Sequence, residues 1–115
     1  MTRIRCRRGD TWQQEAELKL GGGTLAGSAI WLTVKRDSRD PDPGLVQIST
    51  EAGGIEILDA AAQLVRFRIE AERTAQLPIG DWQFDVQVRL PTGEIQTAEN
   101  TPGTFSVLPD ITRTT

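Results

Sequence analysis

The residues that carry most enzymatic chemistry are scarce in this chain. It has no histidine and a single cysteine, Cys6. Without an imidazole the usual general base is missing, and with it the histidine-containing triads and dyads. The commonest metal ligand is missing too, and one thiolate cannot build a zinc cage. Acids are plentiful at 16, and a pair can hydrolyse a glycoside when both converge on one cleft. Most of them here fall on outward strand positions or in turns. Asp37, Asp40 and Asp42 share the 36–44 loop, and oxygen-rich loops can hold calcium. Pro41 and Pro43 break that run, however, and the glycine and distal glutamate of a calcium loop are absent. Gly21-Gly22-Gly23 is not followed by Gly-Lys-Ser/Thr and opens no helix, so it is not a phosphate loop. These residues predict a non-enzymatic chain with no cofactor and no metal.

What remains is binding chemistry. Arg3, Arg5 and Arg7 fall on every second residue and form a row of positive charge along one strand face. Such a row suits an acidic partner or nucleic acid. It suits better a charged edge strand that discourages edge-to-edge aggregation. No aromatic residue interleaves with the row, which argues against single-strand stacking. Trp31 alternates onto the face opposite Ile30, Leu32 and Val34. An outward tryptophan is an interface-anchor candidate, unless it lies beneath the 36–44 loop. Trp12 and Trp82 read as core. Arg8-Gly9-Asp10 spells a cell-adhesion tripeptide, but a turn flanked by charges accounts for it.

Strands must position these residues. In Trp82, Phe84, Val86, Val88 and Leu90 the apolar side chains fall on every second residue, a half-buried β-strand. Leu77-Pro78-Ile79-Gly80-Asp81-Trp82 leads into it as a Leu-x-x-Gly-x-aromatic corner of the kind seen in immunoglobulin-like sandwiches. The indole N–H of Trp82 is expected to reach an upstream carbonyl. Alternation predicts further strands over 3–7, 12–20, 28–35, 45–50, 55–58, 64–70, 94–98 and 104–108. Residues 71–76 suggest one helical turn, and residues 59–62 a turn or a helical turn. The sum is an all-β, antiparallel, immunoglobulin-like β-sandwich of about eight or nine short strands, with a small barrel as the alternative.

Bulk properties agree. At 115 residues the chain reads as one domain over 1–115, with a loose tail from about 110. That size buries roughly 65% of the unfolded surface, enough to fold without a metal or disulfide. A net charge of −3 does not suggest nucleic-acid binding. No apolar run reaches the ~18 residues of a membrane span, and the N-terminal residues do not read as a secretory signal. The lone cysteine fits assembly in a reducing compartment.

The order of the motifs resembles a family of small phage virion domains, the N-terminal β-sandwich of baseplate upper proteins and related tail-associated proteins. The resembling stretches are Arg8-Gly9-Asp10-Thr11, residues 25–35, Gly54-Ile55-Glu56-Ile57, the corner at 77–86, residues 91–97 and Gly103-Thr104-Phe105-Ser106-Val107. The resemblance implies a non-enzymatic structural protein of a tailed-phage virion, in the tail, baseplate, fibre adaptor or neck. Its partners would be other virion proteins, with a homo-oligomer or ring in the particle, assembled in the host cytoplasm. Family members that carry receptor-binding modules have long C-terminal extensions, which this chain lacks, so its own surfaces would do the docking. Trp31 would anchor that contact, with Arg3, Arg5 and Arg7 as a steering patch. The alternative is a module that binds carbohydrate or a host surface.

Overall fold

Period-two alternation commits most of the chain to strands with one apolar face, and two such faces must cover each other. The computed structural model describes residues 3–18, 20, 24–37, 39–98 and 103–109. Among them run β1 (Arg3–Arg7), β2 (Trp12–Glu17), β3 (Ala29–Lys35), β4 (Val46–Ser49), β5 (Ile55–Asp59) and β6 (Leu64–Ile69). A short helix, α1 (Ala71–Thr74), precedes β7 (Gly80–Arg89), β8 (Ile95–Thr97) and β9 (Gly103–Leu108). The expected glycine break at 21–23, the turn at 101–103 apart from Gly103, and the tail from 110 lie outside the described residues.

The strands form two sheets, as the alternation predicts for a sandwich. The larger has the order β1-β9-β7-β3-β4, with β8 also paired to β7; the smaller is β2-β6-β5. Every pairing is antiparallel except β1 with β9, which is parallel. β1 and β9 are about a hundred residues apart in the chain, and alternation reveals the face a strand buries but not its neighbour or its direction.

The inner faces meet in one core. Ile4, Leu18, Leu25, Ile30, Leu32, Val34, Val65, Phe67, Val86, Val88 and Phe105 are fully buried. Trp12 closes one side, its ring stacked on Phe67 at 6.4 Å and set edge-on to Phe105 at 5.7 Å. Cys6 is buried among these residues, and burial together with Asp10 pushes its thiol up to about 11. It stays protonated at neutral pH and behaves as a small apolar residue.

The corner before β7 forms as its motif predicts. Trp82 Nε1 donates to Pro78 O at 2.8 Å. Gly80 makes this possible: its φ is +149°, and a Cβ there would stand 2.9 Å from the indole. Trp82 itself departs from expectation. It is half-buried rather than core, because the hydrogen bond holds the indole near the rim, where Arg36 covers it at 5.7 Å.

The two sides of the sandwich are stitched differently. On one, Gly54 bridges Ser49, and its carbonyl accepts from Arg68 N at 2.7 Å, tying β4 to the small sheet. On the other, the turn between β1 and β2 is held to α1: Thr74 Oγ1 accepts from Gly9 N at 3.1 Å and donates to Asp10 O at 2.7 Å. The tripeptide at 8–10 is therefore a structural turn.

Candidate binding face

The outer face of the large sheet is built by the residues left over when β3, β4, β7 and β8 turn their apolar side chains inward. In register, Trp31 lies between Ser49 of β4 and Gln87 of β7. One step along, Thr33 lies between Gln47 and Asp85. A step the other way, Arg89 lies between Ala29 and Ile95 of β8. Trp31, Thr33, Lys35, Asp42, Gln47, Asp85, Gln87 and Ile95 thus line a shallow recess of about 330 Å³.

Trp31 is half-buried and lies outward, opposite the core residues Ile30 and Leu32. The guanidinium of Arg89 lies over its ring at 5.2 Å, and that same group reaches Glu51 at 3.3 Å. Cation–π contact and ion pair together fix the ring on the sheet. The 36–44 loop contributes Asp42 to the recess, through its bond to Lys35 at 3.0 Å. It is Arg89 rather than this loop that covers a ring face. Across Arg89 from β3, and lining the same recess as Trp31, stands Ile95, a large apolar side chain that is 62% exposed. Sequence reasoning missed Ile95, although an isoleucine on a short hairpin strand amid Glu94, Gln96 and Thr97 was a readable signal.

The polar part of the recess is partly organised. Gln47 Nε2 donates to Thr33 Oγ1 at 3.0 Å. Burial pushes the Asp85 carboxyl above the usual carboxylate range; nearby Lys35 opposes the shift and Asp42 adds to it. The arrangement offers an apolar anchor, two amides, a hydroxyl and a carboxylate side by side. That is recognition chemistry. The described residues contain no cluster of three or more histidine, cysteine, aspartate or glutamate side chains suited to a metal ion. Asp37 is instead taken up by Arg39 at 3.1 Å, which holds its carboxyl below the usual range.

Arg3, Arg5 and Arg7 are exposed on the same outer face, but at β1, the far edge of the sheet. Three strand spacings separate them from Trp31, roughly 14 Å. The structure therefore does not join them into one patch. Arg3 donates to Ser106 Oγ at 3.2 Å, Arg7 to Pro109 O at 2.9 Å. No helix among the described residues is long and apolar enough to cross a membrane.

No family profile matches the sequence, and no curated protein matches it. Among solved structures, a candidate glycoside hydrolase from Bacteroides vulgatus ATCC 8482 overlays with a TM-score of 0.39 at 12% identity, over 96% of this chain and 17% of that one. CopC from Methylosinus trichosporium OB3b overlays with a TM-score of 0.45 at 16% identity, over 98% of this chain and 90% of its own. This chain thus spans only a small part of the first protein's length.

Proposed function

We propose that the chain is a non-enzymatic assembly domain that docks another protein onto the outer face of its large sheet, with Trp31 as the anchor. One observation carries the reading: a tryptophan turned away from the core is held rigid by Arg89 at 5.2 Å in the recess that the exposed Ile95 also lines. A fixed aromatic ring loses little entropy on docking, and such residues dominate interface energetics. The setting we propose is a tailed-phage virion, which the order of the sequence motifs suggests.

The test is to purify particles from a strain that carries the gene, cross-link them through lysines and identify the products by mass spectrometry. Lys35 lies on the proposed face and should link to a different virion protein. Trp31→Ala should be depleted from particles at least tenfold while melting close to the parent temperature. Particles that lack the protein, or that incorporate Trp31→Ala at the parent level, overturn the reading.

A second reading has its own support. Thr33, Gln47, Asp85 and Gln87 surround the Trp31 ring as hydrogen-bonding groups would surround a sugar. Against it, Arg89 already occupies a ring face on which a sugar would stack. Glycan-array hits that vanish in Trp31→Ala would favour this alternative.

A further inference from the structure

We propose that two copies of this chain join along the β1/β2 side of the sandwich about a two-fold axis, β1 of each copy pairing antiparallel with β2 of the other. This concerns a different surface from the Trp31 face and stands without it. Four observations converge on it.

The first is placement. β1 is an edge strand of the large sheet and β2 an edge strand of the small one. The turn over residues 8–11 joins them directly, so the two edges lie one above the other on the same side and run in opposite directions. Among the described residues no strand pairs with the outer edge of either.

Backbone direction is the second. Arg8 N donates to Leu108 O at 2.9 Å, which makes the even-numbered residues of β1 those whose backbone groups face β9. Leu18 N donates to Gln63 O at 2.8 Å, which makes the even-numbered residues of β2 those that face β6. On both strands the odd-numbered residues therefore aim their N–H and C=O groups at the open edge. Two strands with matching open groups can form a ladder.

Charge is the third. The odd-numbered side chains of β1 are Arg3, Arg5 and Arg7; those of β2 are Gln13, Glu15 and Glu17, and all six are exposed. None of the three arginines, nor Glu17, pairs with an opposite charge among the described residues. Pairing β1 with β1, or β2 with β2, would set like charges opposite each other, which is unfavourable. Only β1 with β2 sets unlike charges together, so the rows select one partner edge against the others.

The fourth is register. A two-fold axis along the strands keeps each residue at its own height. The 8–11 turn sets Arg7 level with the start of β2. Matching the outward faces then pairs Arg7 of one copy with Gln13 of the other, Arg5 with Glu15 and Arg3 with Glu17. The symmetry repeats each pair, and the contact is closed rather than chain-forming. The small sheet already shows the pairing mode, since Arg66 bridges Glu15 and Glu56 on its neighbouring strands at 3.2 Å each.

The test is sedimentation equilibrium of the full chain across concentration and salt. The parent chain should give twice the chain mass and dissociate as salt rises. Two variants then break the rows separately: Arg3→Glu with Arg5→Glu, and Glu15→Arg with Glu17→Arg. Each alone should raise the dissociation constant by at least about a hundredfold, because like charges then face each other. Mixed in equal amounts, the two should form a heterodimer, since each supplies the charge the other lacks. If Glu15→Arg fails to fold through loss of its Arg66 contact, the narrower exchange of Arg3→Glu against Glu17→Arg asks the same question. A monomer at every concentration overturns the proposal. So does a dimer indifferent to both variants, or a mixture of folded variants that stays monomeric.

Discussion

The two outer faces of the sandwich are made by the same rule and reach opposite outcomes. On the small sheet most outward charges satisfy one another across strands, Glu17 at the open edge apart. Arg66 spans Glu15 and Glu56, while Arg68 holds Glu70 at 2.8 Å and Gln13 at 3.0 Å. On the large sheet the outward residues include a tryptophan, an exposed isoleucine and a carboxyl that burial pushes upward. The first face is closed by pairs between strands. The second keeps apolar area and hydrogen-bonding groups directed outward. Lys35 and Arg89 are paired on the second face too, so the difference lies in apolar area. A face that turns a tryptophan and an exposed isoleucine outward is suited to recognition, and one dominated by cross-strand ion pairs is less so.

Five substitutions test that contrast. The largest effect belongs to the layer both faces share. Phe105→Ala removes a fully buried ring that contacts Trp12 at 5.7 Å and Phe84 at 6.4 Å. It should cost about 3–5 kcal/mol in urea denaturation and impair both faces together. Trp82→Phe should cost about 1 kcal/mol, since it deletes the bond to Pro78 O but keeps most of the ring. Retained stability in Trp82→Phe would mean that Gly80 and the strand alone hold the corner.

The direct comparison comes next. Arg66→Ala on the small sheet removes two exposed pairs and should cost about 0.5–1 kcal/mol, less at high salt. It should leave partner binding at the Trp31 face unchanged. Trp31→Ala should behave in the reverse way: a stability loss of about 1 kcal/mol or less, with partner binding weakened by at least about 2 kcal/mol in calorimetry. If Arg66→Ala weakens that binding as much as Trp31→Ala does, the two faces are not functionally distinct.

How far these features were legible in the sequence depends on what each residue required. Alternation alone sorted Ile30, Leu32 and Val34 inward and Trp31 outward, because a strand leaves no third choice. The corner was legible because Gly80 and Trp82 form a local motif. Strand ends were less so. Residues 12–20 alternate throughout, yet β2 stops at Glu17. Gln63, with φ of +57°, takes over there: its carbonyl accepts from Leu18 N and its side chain from Leu20 N at 3.2 Å. Lateral order was not legible at all. Nothing near Arg3 announces that Thr104 stands beside it, and nothing near Trp31 announces Arg89 or Ile95. Cross-strand neighbours depend on topology, which a period of two leaves open.

The smallest expected effect is the most specific to the open face. Asp85 sits beside Thr33 in the recess, and burial is the first cause of its raised pKa. A carboxyl whose folded pKa exceeds its unfolded one binds more protons in the native state between the two values. Stability then falls as pH rises through that window and stays lower above it. This is the reverse of the surface pairs on the other sheet. Glu70 is held below its usual range by Arg68, so its contribution is present at neutral pH and fades on acidification. Asp85→Asn should therefore melt slightly above the parent chain at pH 7, with the difference closing as the pH falls toward the ordinary aspartate range. Melting curves of both proteins from pH 7 to pH 4 decide the point. A gap that stays constant with pH would show that Asp85 acts through shape or hydrogen bonding rather than charge, and a lower melting temperature for Asp85→Asn at pH 7 would mean that attraction to Lys35 outweighs the burial.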